Sequence, residues 1–349
     1  MNAYLWYQGC IVASLLAAWA LEVLAGWLTL ASMTPEPPAS CRDLVPAETY
    51  AKAQAYSRAK IRLGLVSTTL GAAMVLTAIL SGAFNLLDRT VLAMVSPWGQ
   101  RVLGGQAYLA QGLLFFAGLG LVADLASLPF DIYRTFVIEE RFGFNRVTPG
   151  LFVRDRLKAW LLTALLGGPI LAALLFFFKA AGDWAWLLTW AALTLFTLVM
   201  YHVAPIWIMP LFNTFTPLEQ GETRQALETY ARAQGFAVSG VFVMDGSRRS
   251  SKSNAFFTGL GRTRRIALFD TLLARHDTAE IISILAHEVG HAQLGHTRNM
   301  LLLTLLKAGA LCLLLGVFLT QPGLHAAFGM ERVTLHGGLV FFALLLTPL

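Results

Sequence analysis

Six long apolar runs alternate with polar segments along the chain. The first run covers about thirty residues at the N-terminus, and the other five are shorter. The six runs occupy residues 3–32, 63–87, 106–130, 159–178, 184–211 and 299–320. A helix needs about 20 mostly apolar residues to cross a bilayer. A seventh apolar run begins near Thr334 and continues without charge to Leu349. The pattern predicts a seven-span transmembrane helical bundle whose seventh span is cut short, and we expect the sequence to be truncated there.

One polar segment, between the fifth and sixth runs, has the character of a soluble domain. Thr216, Pro217 and Glu219 form the signature of a capped helix start, and Gly235 marks that helix's end near Gln234. Alternating and β-branched residues then predict three strands, over residues 237–245, 254–260 and 265–270. The strands are separated by a polar loop and a turn, at residues 246–253 and 261–264. A second helix is predicted to begin near Thr278.

These patterns predict a mainly α protein in three parts. A membrane domain of five spans occupies residues 1–212, a small α/β domain residues 213–298, and two further spans residues 299–349. The composition agrees, because 56% of the residues are hydrophobic and only 13% are charged. Soluble domains carry about 25% charged residues. A soluble, disordered or disulfide-scaffold protein is therefore excluded.

The positive charges are concentrated on one predicted side of the membrane. Three polar segments on that side, at residues 33–62, 131–158 and 213–298, hold 21 of the 26 Lys and Arg residues. Cytoplasmic loops are enriched in these residues. We therefore expect the N-terminus outside and the α/β domain in the cytoplasm. The net charge of +6 is then a topology signal, and no nucleic-acid partner is expected.

The second predicted helix of the soluble domain carries an H-E-x-x-H sequence, His287-Glu288-Val289-Gly290-His291. At about 100° per residue the two histidines lie about 40° apart on one face, so both imidazoles can reach one Zn²⁺. Zn–N bonds of about 2.0–2.1 Å would hold their nitrogens about 3–3.5 Å apart. Glu288 points about 100° away from His287 and can take a proton without binding metal. The sequence predicts one zinc ion per chain, with Glu288 as general base of peptide hydrolysis.

Taken together, these features resemble the type I CAAX prenyl endopeptidase family of multi-pass membrane zinc metalloproteases. Beside the metal motif, three stretches carry the resemblance: Glu-Glu-Arg-Phe-Gly-Phe-Asn at 139–145, Phe-Asn-Thr-Phe-Thr-Pro-Leu at 212–218, and Ser-Asn-Ala-Phe-Phe-Thr-Gly at 253–259. The resemblance implies a zincin-like domain and cleavage near the C-terminus of a prenylated protein. It also implies a water-filled chamber enclosed by the spans.

The same resemblance implies how substrate binds. The strand that carries Asn254, Ala255 and Phe256 would lie beside the metal helix and pair with the substrate backbone, by strand addition at a sheet edge. An ordinary buried strand is the alternative. Arg248, Arg249 and Lys252, in the preceding loop, are expected to be solvated, with an acidic substrate tail or anionic lipid as the other interpretation.

One departure concerns the third metal ligand. In the family it is a Glu after the seventh span, and this sequence stops before that point. His296 is another candidate, but a continued helix would place it about 140° off the metal face. We therefore expect an open two-histidine site, so that this chain binds zinc weakly and hydrolyses peptides poorly.

Four other interpretations stay open from the sequence alone. The weakest is a transporter, which would explain charged residues within the spans but not the H-E-x-x-H helix. The chain could be a membrane quality-control metalloprotease, which shares H-E-x-x-H but has fewer spans. It could be a catalytically inactive fragment that binds lipidated peptides. The motif could also be a surface helix with two solvated histidines. In each case the lipid bilayer is a partner, and the oligomeric state is left open.

Overall fold

The structure, a computed structural model, describes residues 3–235, 238–258, 265–319 and 321–346. It is mainly helical, with one small sheet. The helices in the first half of the chain are α1 Ala3–Ser32, α2 Ala47–Leu80, α3 Ala83–Leu103, α4 Ala107–Tyr133, α5 Pro149–Leu162, α6 Gly168–Ala180 and α7 Ala185–Val203. The remaining elements are α8 Met209–Phe212, β1 Phe215–Pro217, α9 Glu222–Ala233, β2 Gly240–Met244, β3 Ala255–Thr258, β4 Arg265–Phe269, α10 Asp270–Leu273, α11 Thr278–Gln293, α12 His296–Phe318, α13 Pro322–Ala327 and α14 Leu335–Leu345.

Within the described residues, six helical segments are long and apolar enough to cross a membrane. They are Leu5–Ser32, Ala47–Leu80, Ala83–Glu139, Pro149–Ala180, Gly182–Phe212 and His296–Phe318. The six predicted runs are thereby confirmed as membrane-length helices, and the protein is a multi-pass membrane protein. The seventh run forms α14, which has 11 residues, so the seventh span stays a prediction.

The second run ends earlier than predicted, and an additional helix follows it. The apolar window continued to residue 87, whereas α2 ends at Leu80 and α3 begins at Ala83. Between them Gly82 has φ 71°, a left-handed backbone conformation that residues other than glycine rarely adopt. Hydropathy averaged over a window is insensitive to a single glycine, and so the break at Gly82 and the helix α3 that follows it were not predicted.

Contacts divide the chain into two compact units, and the first contains most of the membrane helices. It comprises Met1–Phe142, Ala164–Thr189 and Leu311–Leu349. Its largest buried cluster centres on aromatic rings from α3, α4 and α14. Phe328 and Phe341 are stacked with ring centroids 3.7 Å apart, and Phe84 meets both edge-on. These rings tie α14 to the helices that precede the soluble segment.

A buried carboxylate lies beside this aromatic cluster. The Asp88 side chain, on α3, is 3% exposed. One of its oxygens accepts a hydrogen bond from Arg332 at 2.7 Å, and the other is 2.8 Å from His336 Nε2. A buried carboxylate is tolerated only when it is paired in this way. The predicted loop between the second and third runs thus supplies a buried polar contact to the start of α14.

The second unit, Gly143–Thr163 with Trp190–Ala310, contains the sheet. The strand order is β1-β2-β4-β3. The central pair β2 and β4 is parallel, whereas β1 and β3 pair antiparallel with their neighbours. The three predicted strands are confirmed as β2, β3 and β4. The predicted turn at 261–264 lies outside the described residues, as do residue 237 and residues 259–260 of the predicted strands.

The helix that the sequence predicts at the start of the polar segment, near Thr216, begins later than predicted. Thr216 and Pro217 belong to β1, where they pair with Val243 and Phe242 of β2. Helix α9 starts only at Glu222, after Gly221, which makes no side-chain cap. Pairing with a distant strand therefore outweighs the local capping signature, and that prediction was wrong. The predicted end was right, because α9 is capped at Gln234 and Gly235 has φ 64°.

One apolar core joins the sheet to α9 and α11. Ten buried residues form it, all of them Leu, Ile, Val or Ala: Leu227, Ala231, Val241, Ala255, Ile266, Leu268, Leu272, Ile281, Leu285 and Val289. The side chains of Ile266 and Leu268 lie on the same face of β4, because successive side chains of a strand point to opposite faces. Helix α11 is thereby held against that face. The predicted domain boundaries at residues 212 and 298 stay a prediction.

Candidate metal site

Helix α11 begins at a capping box and is strongly two-sided. Asp277 accepts a hydrogen bond from the Glu280 backbone N–H at 2.8 Å, and Glu280 accepts one from the Asp277 N–H at 3.2 Å. Ile281, Leu285 and Val289 are buried at a spacing of four residues, which places them on one stripe. Residues near 287 and 291 therefore lie on the opposite side, away from the core. The predicted helix start near Thr278 is confirmed.

The two histidines of the H-E-x-x-H sequence meet on that outer side. His287 Nε2 and His291 Nε2 are 3.1 Å apart, within the range predicted for two ligands of one zinc ion. Their ring centroids are 4.7 Å apart and the ring planes are nearly perpendicular. Both side chains are exposed within the chain. The pair thus directs two imidazole nitrogens to a common point on an accessible face.

Glu288 lies between this face and the core. Its side chain is half-buried, as expected from its position about 100° around the helix from His287. Among the described residues, no hydrogen bond or ion pair engages its carboxylate. A carboxylate in this state is available to accept a proton from a molecule bound at the histidine pair.

The end of α11 places a third histidine behind the pair. Helix α11 ends at Gln293, Gly295 has φ 69°, and α12 begins at His296. The left-handed glycine turns the chain, so His296 does not lie on a continuation of α11, and the prediction of a continuous helix at this point was wrong. Its Nδ1 lies 2.7 Å from Nδ1 of His291, at the opposite side of that ring from the His287 contact. His296 is therefore not brought to the common point of the pair.

Within the described residues, strand β3 is one of the two edge strands of the sheet, and β1 is the other. The Phe269 N–H donates to the Asn254 carbonyl at 3.0 Å, so in this antiparallel register the backbone groups of Phe256 also face β4. Those of Ala255 face the open edge. There the Ala255 N–H donates to Oδ1 of Asn254 at 2.9 Å.

The loop before β3 is anchored instead of solvated. Asn145 and Ser250 form an isolated antiparallel bridge. Arg249 donates from Nε and Nη2 to Oδ2 of Asp155 at 3.0 and 2.8 Å, and from Nη1 to Asn213 Oδ1 at 2.8 Å. The expectation of a solvated loop was thus wrong for Arg249. Its partners lie 94 and 36 residues away, and no local sequence signal identifies them.

The two imidazole donors, His287 and His291, are of a chemical type that suits a zinc ion, although only these two of the described residues are brought to the common point. Imidazole nitrogens are common ligands of Zn²⁺, and a helical i, i+4 pair offers two of them. Within the described part of the chain, no group of three or more His, Cys, Asp or Glu side chains is arranged to hold a metal ion. The two histidines are thus the pair of imidazole donors that the fold brings together on this helix.

Membrane-length helices and an α/β unit with an H-E-x-x-H helix together define the class of membrane metallopeptidases. Comparison with known proteins narrows this class. Residues 27–214 match the family model described as CAAX prenyl protease N-terminal, five membrane helices. Residues 217–348 match peptidase family M48. The chain therefore belongs to the CAAX prenyl protease group of peptidase family M48.

Individual relatives agree with this assignment. CAAX prenyl protease 1 of Saccharomyces cerevisiae is 36% identical, over 87% of this chain and 67% of the yeast protein. A CAAX prenyl protease 1 homolog of Arabidopsis thaliana is 35% identical, over 76% of this chain and 65% of the plant protein. The chain spans about two thirds of the length of these relatives.

A solved structure shows the same fold. The crystal structure of S. mikatae Ste24p matches with a TM-score of 0.89 and 33% sequence identity, covering 98% of this chain and 82% of that one. The predicted mainly helical architecture with a small α/β part is therefore confirmed at the level of the fold.

Proposed function

We propose that this protein is an integral-membrane zinc endopeptidase that cleaves peptide bonds near the C-terminus of CAAX-type prenylated proteins. The observation that carries the proposal is the 3.1 Å approach of His287 Nε2 to His291 Nε2 on the exposed face of α11. Membership of the CAAX prenyl protease family supports the substrate class. His287 and His291 are the proposed ligands of one Zn²⁺ per chain.

The chemistry follows from three positions on one helix. His287 and His291 would hold the zinc ion, which when bound would supply Lewis-acid polarisation of the scissile carbonyl. Glu288, the residue after His287, takes a proton from the attacking water and then delivers it to the leaving amine. Val289 and Leu285, buried at 1% and 2% exposure, fix the helix rotation and so keep Glu288 beside the histidine face.

Replacing the general base tests this assignment. In the purified protein, Glu288→Gln should lower peptide hydrolysis by about 10²–10⁴-fold, because the amide cannot accept the proton. Zinc content, measured on the same purified sample, should not change, since Glu288 is not a proposed ligand. Thermal unfolding should also be unchanged.

A matched control is available on the same helix. Glu280→Gln alters a carboxylate that belongs to the capping box and lies two turns from the histidine pair, so hydrolysis should be close to wild type. Wild-type turnover by the Glu288→Gln protein would rule out the proposed role of this residue.

For substrate binding, we infer that Asn254, Ala255 and Phe256 form the recognition strand. Ala255 directs its backbone groups to the open edge, and an added peptide strand would meet them there. The carbonyl of the peptide would replace Asn254 Oδ1 as acceptor for the Ala255 N–H. Phe256 supports the strand, since its ring packs edge-on against Phe269 with centroids 6.2 Å apart.

Strand addition predicts a period-two response to substrate modification. In an added strand only every second peptide N–H faces the sheet edge. A series of peptides, each N-methylated at one position around the cleaved bond, should therefore lose cleavage at alternate positions. The intervening peptides serve as the matched controls. A uniform loss, or a loss confined to the cleaved bond itself, would contradict strand addition.

The charge asymmetry of the loops supports the orientation that the sequence predicts, with the N-terminus outside and the catalytic segment in the cytoplasm. A Cys substituted for Ser250 tests it in sealed vesicles or cells. An impermeant thiol reagent should label this Cys only from the cytoplasmic side. Labelling from the outside alone would overturn the orientation.

A further inference from the structure

We infer that His296 is a positioning residue for the metal site, which accepts a hydrogen bond from His291 and holds its imidazole in the orientation and tautomer that bind zinc. This inference rests on the proposed function, because it concerns a proposed zinc ligand. It assigns a role to a histidine that lies outside the H-E-x-x-H sequence.

The distances place the two contacts of His291 on different ring nitrogens. Its Nε2 faces His287 Nε2 at 3.1 Å, and its Nδ1 faces His296 Nδ1 at 2.7 Å. The rings of His291 and His296 have centroids 5.0 Å apart. His296 thus contacts Nδ1 of His291, while Nε2 of His291 is directed to the proposed metal position.

The tautomer of His291 that can bind metal through Nε2 determines the direction of the hydrogen bond. A neutral imidazole carries one N–H and one lone pair. If His291 binds metal through Nε2, its lone pair is on Nε2 and its proton is on Nδ1. Nδ1 of His291 must then donate, and Nδ1 of His296 must accept. Metal-binding histidines almost always donate their second N–H to such a partner.

The backbone explains why His296 reaches this position. Gly295 adopts φ 69°, and α12 starts at the next residue, so the first side chain of α12 is turned back toward the last turn of α11. The Asn299 N–H donates to the Gly295 carbonyl at 2.9 Å, which fixes the start of α12. The position of His296 therefore follows from the joint between two helices.

Two variants of His296 separate positioning from volume. His296→Phe keeps an aromatic ring but cannot accept the hydrogen bond. His296→Asn places Oδ1 about where Nδ1 stood and can still accept it. Zinc affinity, measured by chelator competition, should fall by about 10–100-fold in the Phe variant and should be largely retained in the Asn variant.

A spectroscopic readout and a control complete the experiment. With cobalt in place of zinc, the visible absorption of the Phe variant should differ from wild type and that of the Asn variant should not. His276→Phe removes a histidine from the other end of α11, where it contacts Glu280 at 3.0 Å, and should leave both readouts unchanged. Thermal unfolding of each variant checks that the fold persists.

Wild-type zinc affinity in the Phe variant would overturn the positioning role, and so would an equal loss in the Phe and Asn variants. Loss of one imidazole from the metal's X-ray absorption spectrum in the Asn variant would identify His296 as a ligand and would also overturn it. Wild-type protein that binds no zinc would instead overturn the proposed function.

Discussion

The packing of α11 against the sheet is the constraint on which the rest of the site depends. Ile281, Leu285 and Val289 recur every fourth residue and are each 1–2% exposed. Because these side chains are buried in the core of the second unit, the rotation of the helix about its axis is fixed. The 3.6-residue period then places His287 and His291 on the opposite face. Site geometry is thus set by apolar burial.

The same packing relates helix α11 to the sheet edge. Ala255 of β3 is buried in the same cluster as Leu285 and Val289, so the edge strand is held beside α11. The loop that leads into β3 is held in turn by Arg249, Asp155 and Asn213. These contacts give a fixed edge strand next to an exposed histidine pair. The proposed reaction needs such an arrangement, because an added peptide has to reach the histidine pair from the sheet edge.

Features encoded by neighbouring residues were predictable from the sequence. The apolar runs, the start of α11 and the histidine spacing depend on residues within a turn or a span of one another. Features that depend on distant pairing were not. Thr216 and Pro217 carry a helix-start signature but pair with β2, and Arg249 finds a partner 94 residues away. His296 was misplaced because one left-handed glycine, Gly295, changed the direction of the chain. The absence of α3 from the prediction has a similar cause at Gly82.

The central claim is that His287 and His291 bind one zinc ion, and zinc X-ray absorption of the purified protein tests it most directly. With zinc supplied in excess and the unbound metal removed just before measurement, we expect up to one zinc per chain, with scattering from two imidazoles at Zn–N distances of about 2.0–2.1 Å. We also expect this imidazole signal to disappear when both histidines are replaced by alanine. A spectrum without imidazole ligands, or one unchanged by the double replacement, would contradict the central claim.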